Sequence, residues 1–203
     1  FLAAALLAAT PVESRRLAPF ACTPLAGPSQ IPAPAVITFD DLPDGANIGN
    51  HYQAGFGVRF EDSRTARVRA LALRAGAHSP PNVARSEALG DPAATALSAS
   101  FDAVQAYVGM YLGNGGGVIT ARLLGFDAGG SQICLAEVSN VPDNHAAFIG
   151  FRDEAGRIAS VSLTYLASTQ AESIDDLYFS APAPTGTATH TPTRTPTRTP
   201  TST

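Results

Sequence analysis

The chain has no lysine and no tryptophan, one methionine, two cysteines and four histidines. Each shortage closes off chemistry. Without lysine there can be no phosphate-cradling Gly-x-x-x-x-Gly-Lys loop. The thirteen basic residues are all arginine, and the net charge is −4. The densest arginines, Arg64, Arg67, Arg69 and Arg74, sit beside Glu61 and Asp62 and read as a solvated strand face. A nucleic-acid partner, which needs an uncompensated cationic stripe, is therefore not expected. Two cysteines without a Cys-x-x-Cys cannot supply a thiolate zinc site. None of His51, His78, His145 and His190 lies in a His-Glu-x-x-His motif, and no Gly-x-Ser-x-Gly elbow occurs. Asn114–Gly117 is glycine-rich but lacks the helix that a dinucleotide loop opens. An enzyme is not expected. Carboxylate pairs of the glycosidase kind keep a secreted hydrolase as a remote alternative.

Long apolar runs are also missing. Residues 1–9 form the longest, too short to cross a bilayer as a helix, and no transmembrane segment is expected. The run has the length of a signal-peptide apolar core. Residues 1–21 are read as a signal-peptide remnant, which makes the protein secreted or cell-surface. In an exported chain Cys22 and Cys134 form either a disulfide or two unpaired thiols, with Cys134 as a small core residue. A bridge closing so long a loop would contribute roughly 4–5 kcal/mol.

What remains is apolar, turn-rich and short in period. Hydrophobic residues make up 45% of the chain and charged residues 15%, beside 18 glycines and 16 prolines. Such a balance favours many short elements over long helices. Residues 22–35 read as a Pro-rich linker and 36–180 as the folded body. Strands are expected at 36–40, 56–61, 66–74, 95–101, 103–112, 117–127, 132–140, 146–152, 157–165 and 173–179. The clearest alternation sets Val104, Ala106, Val108 and Met110 against Gln105, Tyr107, Gly109 and Tyr111. Another sets Ile158, Ser160, Ser162 and Thr164 against Ala159, Val161, Leu163 and Tyr165. Asn114–Gly117, Asp127–Gly130 and Asp153–Gly156 read as hairpin loops. The fold expected is all-β, an antiparallel jelly-roll β-sandwich.

From 181 the composition changes to a Thr-Pro-Thr-Arg repeat, an extended or disordered tail with no core of its own. It is a plain spacer, an O-glycosylated stalk modified at Thr191, Thr193, Thr195, Thr197 and Thr199, or a means of self-association.

Three motifs carry a resemblance. The opening Ile37-Thr-Phe-Asp-Asp-Leu-Pro-Asp-Gly45 is followed by Tyr52-Gln-Ala-Gly-Phe-Gly-Val-Arg-Phe60. The middle has Val108-Gly-Met-Tyr-Leu-Gly-Asn114 and Ile119–Gly130, and the close is Ile174-Asp-Asp-Leu-Tyr-Phe179. In this order they resemble bacterial exported jelly-roll domains of the surface-sorted (PEP-CTERM) type and, in outline, calcium-stapled carbohydrate-binding modules. The resemblance implies a structural calcium ion held by Asp40 and Asp176, with Asp41 and Asp175 as neighbours. Alternatively these acids cap turns and accept backbone hydrogen bonds. Tyr107 and Tyr111 share one strand face and are the candidate ligand-binding residues, or simply part of a sandwich face. The expected function is a cell-surface binding or adhesion module with a glycan or cell-surface polymer as partner. The alternative is a structural subunit of an extracellular fibre or surface layer.

Overall fold

The structure is a computed structural model that describes residues 22–63, 67–73, 76–86, 96–166 and 171–181. The expected export signal (1–21) and the tail from 182, with Thr191, Thr193, Thr195, Thr197 and Thr199, lie outside the described residues.

Twelve strands make two antiparallel sheets, the jelly-roll β-sandwich expected from the alternation. The strands are β1 Cys22–Pro24, β2 Ala35–Ile37, β3 Val58–Asp62, β4 Val68–Ala72, β5 Asn82–Ser86, β6 Leu97–Gln105, β7 Tyr107–Gly113, β8 Ile119–Phe126, β9 Gln132–Val141, β10 Ala147–Asp153, β11 Ile158–Leu166 and β12 Ser173–Ser180. One sheet runs β1-β10-β7-β12-β5-β4, with β2 also paired to β12; the other runs β3-β6-β11-β8-β9. Among the described residues helix is confined to a 3-10 turn, Pro28–Gln30, and one α-helical turn, Gln53–Phe56, which ends on Gly57 at φ 68. That left-handed position suits glycine, which has no Cβ to collide with the carbonyl. Among the described residues no helix is long and apolar enough to cross a membrane.

Alternation fills the core. Val108, Met110 and Leu112 of β7, Ile149 and Phe151 of β10, and Ile174, Leu177 and Phe179 of β12 point inward from the first sheet. Val58, Phe60, Ala121, Leu123, Val161 and Leu163 answer from the second. Phe39, Tyr52 and Phe60 meet edge to face with centroids 5.5–6.1 Å apart, a favourable quadrupole arrangement. Tyr165 reaches across the sandwich, its hydroxyl 2.6 Å from the Gly113 carbonyl oxygen and 3.1 Å from that of Ser173.

The structure corrects several expectations. The linker reading of 22–35 misses β1, which pairs with β10 at the sheet edge. Strand β5, introduced by Pro80-Pro81, was not anticipated, and it lies between β12 and β4. Only Asp127–Gly130 joins a true hairpin, β8 to β9. Asn114–Gly117 and Asp153–Gly156 carry the chain from one sheet to the other. The turn residues are those of a hairpin, but sheet membership is set by packing that local sequence does not encode. The phase of β11 also slips. A bulge between Ile158 and Ser160 lets Ile158 share the core with Val161, Leu163 and Tyr165, as an extra residue in one strand does.

A disulfide joins Cys22 to Cys134, with Cα atoms 5.2 Å apart. It ties β1, an edge of one sheet, to β9, an edge of the other. The unpaired rims of a sandwich are its weak side, and here one flank is closed covalently.

Candidate functional site

The outward face of the larger sheet carries the site. Register across β10, β7 and β12 sets its residues in three rows. The first is Arg152, Tyr107 and Ser180; the second Gly150, Gly109 and Tyr178; the third Phe148, Tyr111 and Asp175. The middle row is the key to the rest. Strands lie about 4.8 Å apart, so side chains on β10 and β12 are separated by a full strand. With no side chain on Gly109, the rings of Phe148 and Tyr178 lean together over β7, their centroids 6.4 Å apart at 60°. A Cβ on Gly109 would lie 2.4 Å from Phe148 Cζ. Tyr111 completes the cluster, 5.4 Å from Phe148 and 6.2 Å from Tyr178. All three rings are half-buried.

His78 stacks on Tyr111 at 3.5 Å between centroids and 12° between planes. It belongs to the segment 76–81, which is strapped onto β12. His78 Nδ1 is 2.5 Å from Asp176 Oδ2. The Ser79 amide donates to Asp175 Oδ2 at 2.8 Å, and its hydroxyl lies 2.5 Å from Asp176 Oδ1. At the other end of the strap, the His145 amide and Nδ1 both donate to the Gly76 carbonyl. That bond fixes the tautomer: Nε2 then accepts from the Ser173 hydroxyl at 2.8 Å. Burial holds the His145 imidazole below its ordinary pKa and keeps it neutral. The ring occupies the space a side chain on Gly113 would need.

Strict alternation would send Asp175 and Asp176 to opposite faces. A bulge prevents it. The ladder with β7 shifts between Asp175 and Tyr178, and Asp176 takes φ 47, a left-handed position that aspartate tolerates better than most residues. Both carboxylates therefore serve the outer face, almost fully buried under the strap and rings. Desolvation, partly offset by the Ser79 amide, pushes Asp175 up to about 6. The single Ser79 hydrogen cannot serve both acids, and a proton on Asp175 would let its carboxyl donate to Ser79 Oγ, 3.2 Å away. Folded Asp175 thus keeps its proton above the ordinary 3.8. Its contribution to stability is complete below that value and is lost as pH rises through about 6. We expect the Asp175 side-chain carboxyl carbon to titrate by NMR near pH 6; a midpoint near 4 would contradict the burial.

The acids expected to hold calcium do not converge. Asp175 and Asp176 lie together, as described. Asp40 instead accepts the Asn82 amide at 2.9 Å. Asp41 accepts from the Tyr52 hydroxyl and His51 Nε2, and these bonds hold its carboxyl below the usual range against the opposing effect of burial. Strand β2, which opens the expected body, does run beside the last strand, Ile37 opposite Leu177. But Phe39 turns the chain away at φ 66 before Asp40 is reached. Among the described residues no three His, Cys, Asp or Glu side chains gather as a metal site. Calcium needs six to eight oxygens, whereas these acids are committed to amide, hydroxyl and imidazole partners. As placed, Asp40 and Asp175 accept backbone amides, while Asp41 and Asp176 accept side-chain donors.

Of the candidate ligand residues, Tyr111 is central to the ring cluster. Tyr107 lies two rows away, four residues and roughly 13 Å along the strand. It faces an open cleft of about 1040 Å³ lined also by Pro32, Ala35, Gln105, Arg152 and Ser180. Phe148, Tyr178 and His78 were not anticipated. A signal for Phe148 existed: Phe148-x-Gly150, like Tyr107-x-Gly109-x-Tyr111, alternates aromatic and glycine on the phase opposite the core.

Ser79, His78 and Asp176 bring together the residue types of a hydrolytic triad, but not its connectivity. The Ser79 hydroxyl donates to carboxylates and not to imidazole, so the serine–histidine bond of a triad is missing.

No protein-family model matches this sequence, and no curated protein matches it. Among solved structures, the chain is similar to the K2 cleaved adhesin domain of Lys-gingipain, with 15% identity over 73% of this chain and 99% of that one, at a TM-score of 0.41. It is also similar to the C-terminal family 22 carbohydrate-binding module of Clostridium thermocellum Xyn10B, with 12% identity over 67% and 92% at 0.35. A third similarity is to TmCBM61, solved with β-1,4-galactotriose, with 16% identity over 67% and 99% at 0.33. Likenesses this loose decide no ligand.

Proposed function

We propose that this protein is an extracellular, non-catalytic glycan-binding domain, and that its binding face is the outer face of β10, β7 and β12. The observation behind this reading is the ring cluster of Tyr111, Phe148 and Tyr178, opened by a missing side chain at Gly109. Rings on a sheet face usually mean core, and here they lie on the face away from the core. Half-buried aromatic rings offer apolar area to the C–H face of a sugar, while Tyr hydroxyls and His78 supply hydrogen bonds to its hydroxyls. The strand direction extends this face from the cluster to Tyr107 and the cleft. A ligand of several sugar units could lie along it. Calcium forms no part of the proposal.

A glycan array probed with the intact chain tests it. We expect a defined set of oligosaccharides to be retained. In Phe148→Ala/Tyr178→Ala the affinity should fall at least about tenfold, as for truncation of buried aromatic anchors, with the circular dichroism unchanged. No retained glycan at millimolar concentration, or equal binding by the variant, would end the reading.

A further inference from the structure

The proposed face has a sign. Asp175 and Asp176 are 0% and 3% exposed directly behind the rings, and no lysine exists in the chain to neutralise them. Their partners are His78, Ser79, the Tyr178 hydroxyl at 3.5 Å from Asp176 Oδ2, and one backbone amide within the pair. Among the described residues His78 is the one basic side chain bonded to them, and it serves Asp176 alone. Arg85, opposite Ser173 on β5, also faces this side of the sheet. Among the described residues no carboxylate pairs with it, and its buried Nε has no hydrogen-bond partner. Arg152, at the far row, is paired with Glu154.

The charge reaches the surface. Burial first, and then the Asp176 charge, raise the Tyr111 hydroxyl above its ordinary value and push Tyr178 up to about 12. A charge behind a thin apolar layer is screened far less than one in water. The ring faces add their own negative quadrupole, which attracts ammonium groups. Two independent features, π faces and buried carboxylates, thus favour the same kind of visitor.

We propose that the ligand of this face is a polysaccharide bearing free amino groups, of the glucosamine type, with an ammonium group seated on the Phe148–Tyr178 rings in the field of Asp176. This inference rests on the glycan-binding reading and narrows it. A neutral sugar would use the rings alone. A uronic acid would be repelled by the pair behind them.

The test compares β-1,4-linked oligomers of equal length made of glucosamine, N-acetylglucosamine and glucose. Binding to the intact chain is measured by calorimetry at pH 6.5, in low and high salt. Glucosamine oligomers should bind at least about tenfold tighter than the acetylated ones at low salt, and the gap should shrink to about threefold or less at high salt. Asp176→Asn should close the gap in the same way, read within that variant as the ratio of glucosamine-oligomer to glucose-oligomer affinity. Asparagine also tolerates the left-handed backbone at this position. Should that variant fail to fold, the salt dependence decides alone. If acetylated or glucose oligomers bind equally well, or the gap survives in Asp176→Asn, the amine inference falls and the glycan-binding face stands. If none of the three binds and the array retains nothing, the glycan-binding reading itself falls.

Discussion

Replacing both cysteines by alanine, Cys22→Ala/Cys134→Ala, is expected to destabilise the domain by roughly 4–5 kcal/mol, seen as a drop of about 10–20 °C in Tm. The reasoning is topological. The residues bridged are 112 apart in sequence, so the open chain gains the entropy of a long loop. The fold gives a second reason. Strand β1 has only three residues and ends at Pro24, which cannot donate to a ladder. Its register with β10 covers three pairs, too few to hold a terminal strand alone. Without the bridge, β1 should fray first and expose the rims of β10 and β9 together. Thermal and urea unfolding of the double variant, with amide exchange on β9 and β10, would show it. A loss under about 1 kcal/mol would mean that packing already holds this flank.

The second large effect separates two glycines that face each other across the ladder. In Gly109→Ala the new Cβ meets the tip of the Phe148 ring, which can swing away. The fold should survive nearly intact, and glycan affinity should fall on the order of tenfold because the platform has lost its central ring. In Gly150→Ala the new Cβ would meet Val108 O at 2.8 Å and Gly109 Cα at 2.9 Å. Backbone cannot swing away, so overpacking there should cost about 1–3 kcal/mol. Calorimetric binding beside urea unfolding distinguishes the pair. If Gly109→Ala binds as the wild type does, the ring over Gly109 is not the platform.

Much of the sandwich could be read from residue alternation, because a period of two needs only local sequence. Ala106, Val108 and Met110 are buried as alternation predicts, whereas Val104, which falls on β6, is exposed. What escaped were the places where alternation breaks. The bulge at Asp175–Asp176 depends on a ladder with β7, where Asp175 pairs with Tyr111, 64 residues earlier. It alone places two acids on one face. The same holds for Ile158, whose phase is set by pairing with β6. The parting of Asp40 from the Asp175–Asp176 pair begins at Phe39, whose left-handed backbone redirects the chain. No spacing rule announces such a turn in a residue with a Cβ. The site was half visible: Tyr111 stood out because aromatics are scarce, while Phe148 and Tyr178 needed the register that brings them together over Gly109.

The proposal that this sheet face is a glycan platform is open to direct mapping. An oligosaccharide retained on the array would be titrated into labelled protein, and backbone and aromatic chemical shifts followed by NMR. The largest changes should fall on Tyr111, Phe148, Tyr178 and His78, with smaller ones along β7 toward Tyr107. Changes confined to the outer face of the other sheet, or to the turns at Asp127–Gly130 and Asp153–Gly156, would place the ligand elsewhere and contradict it.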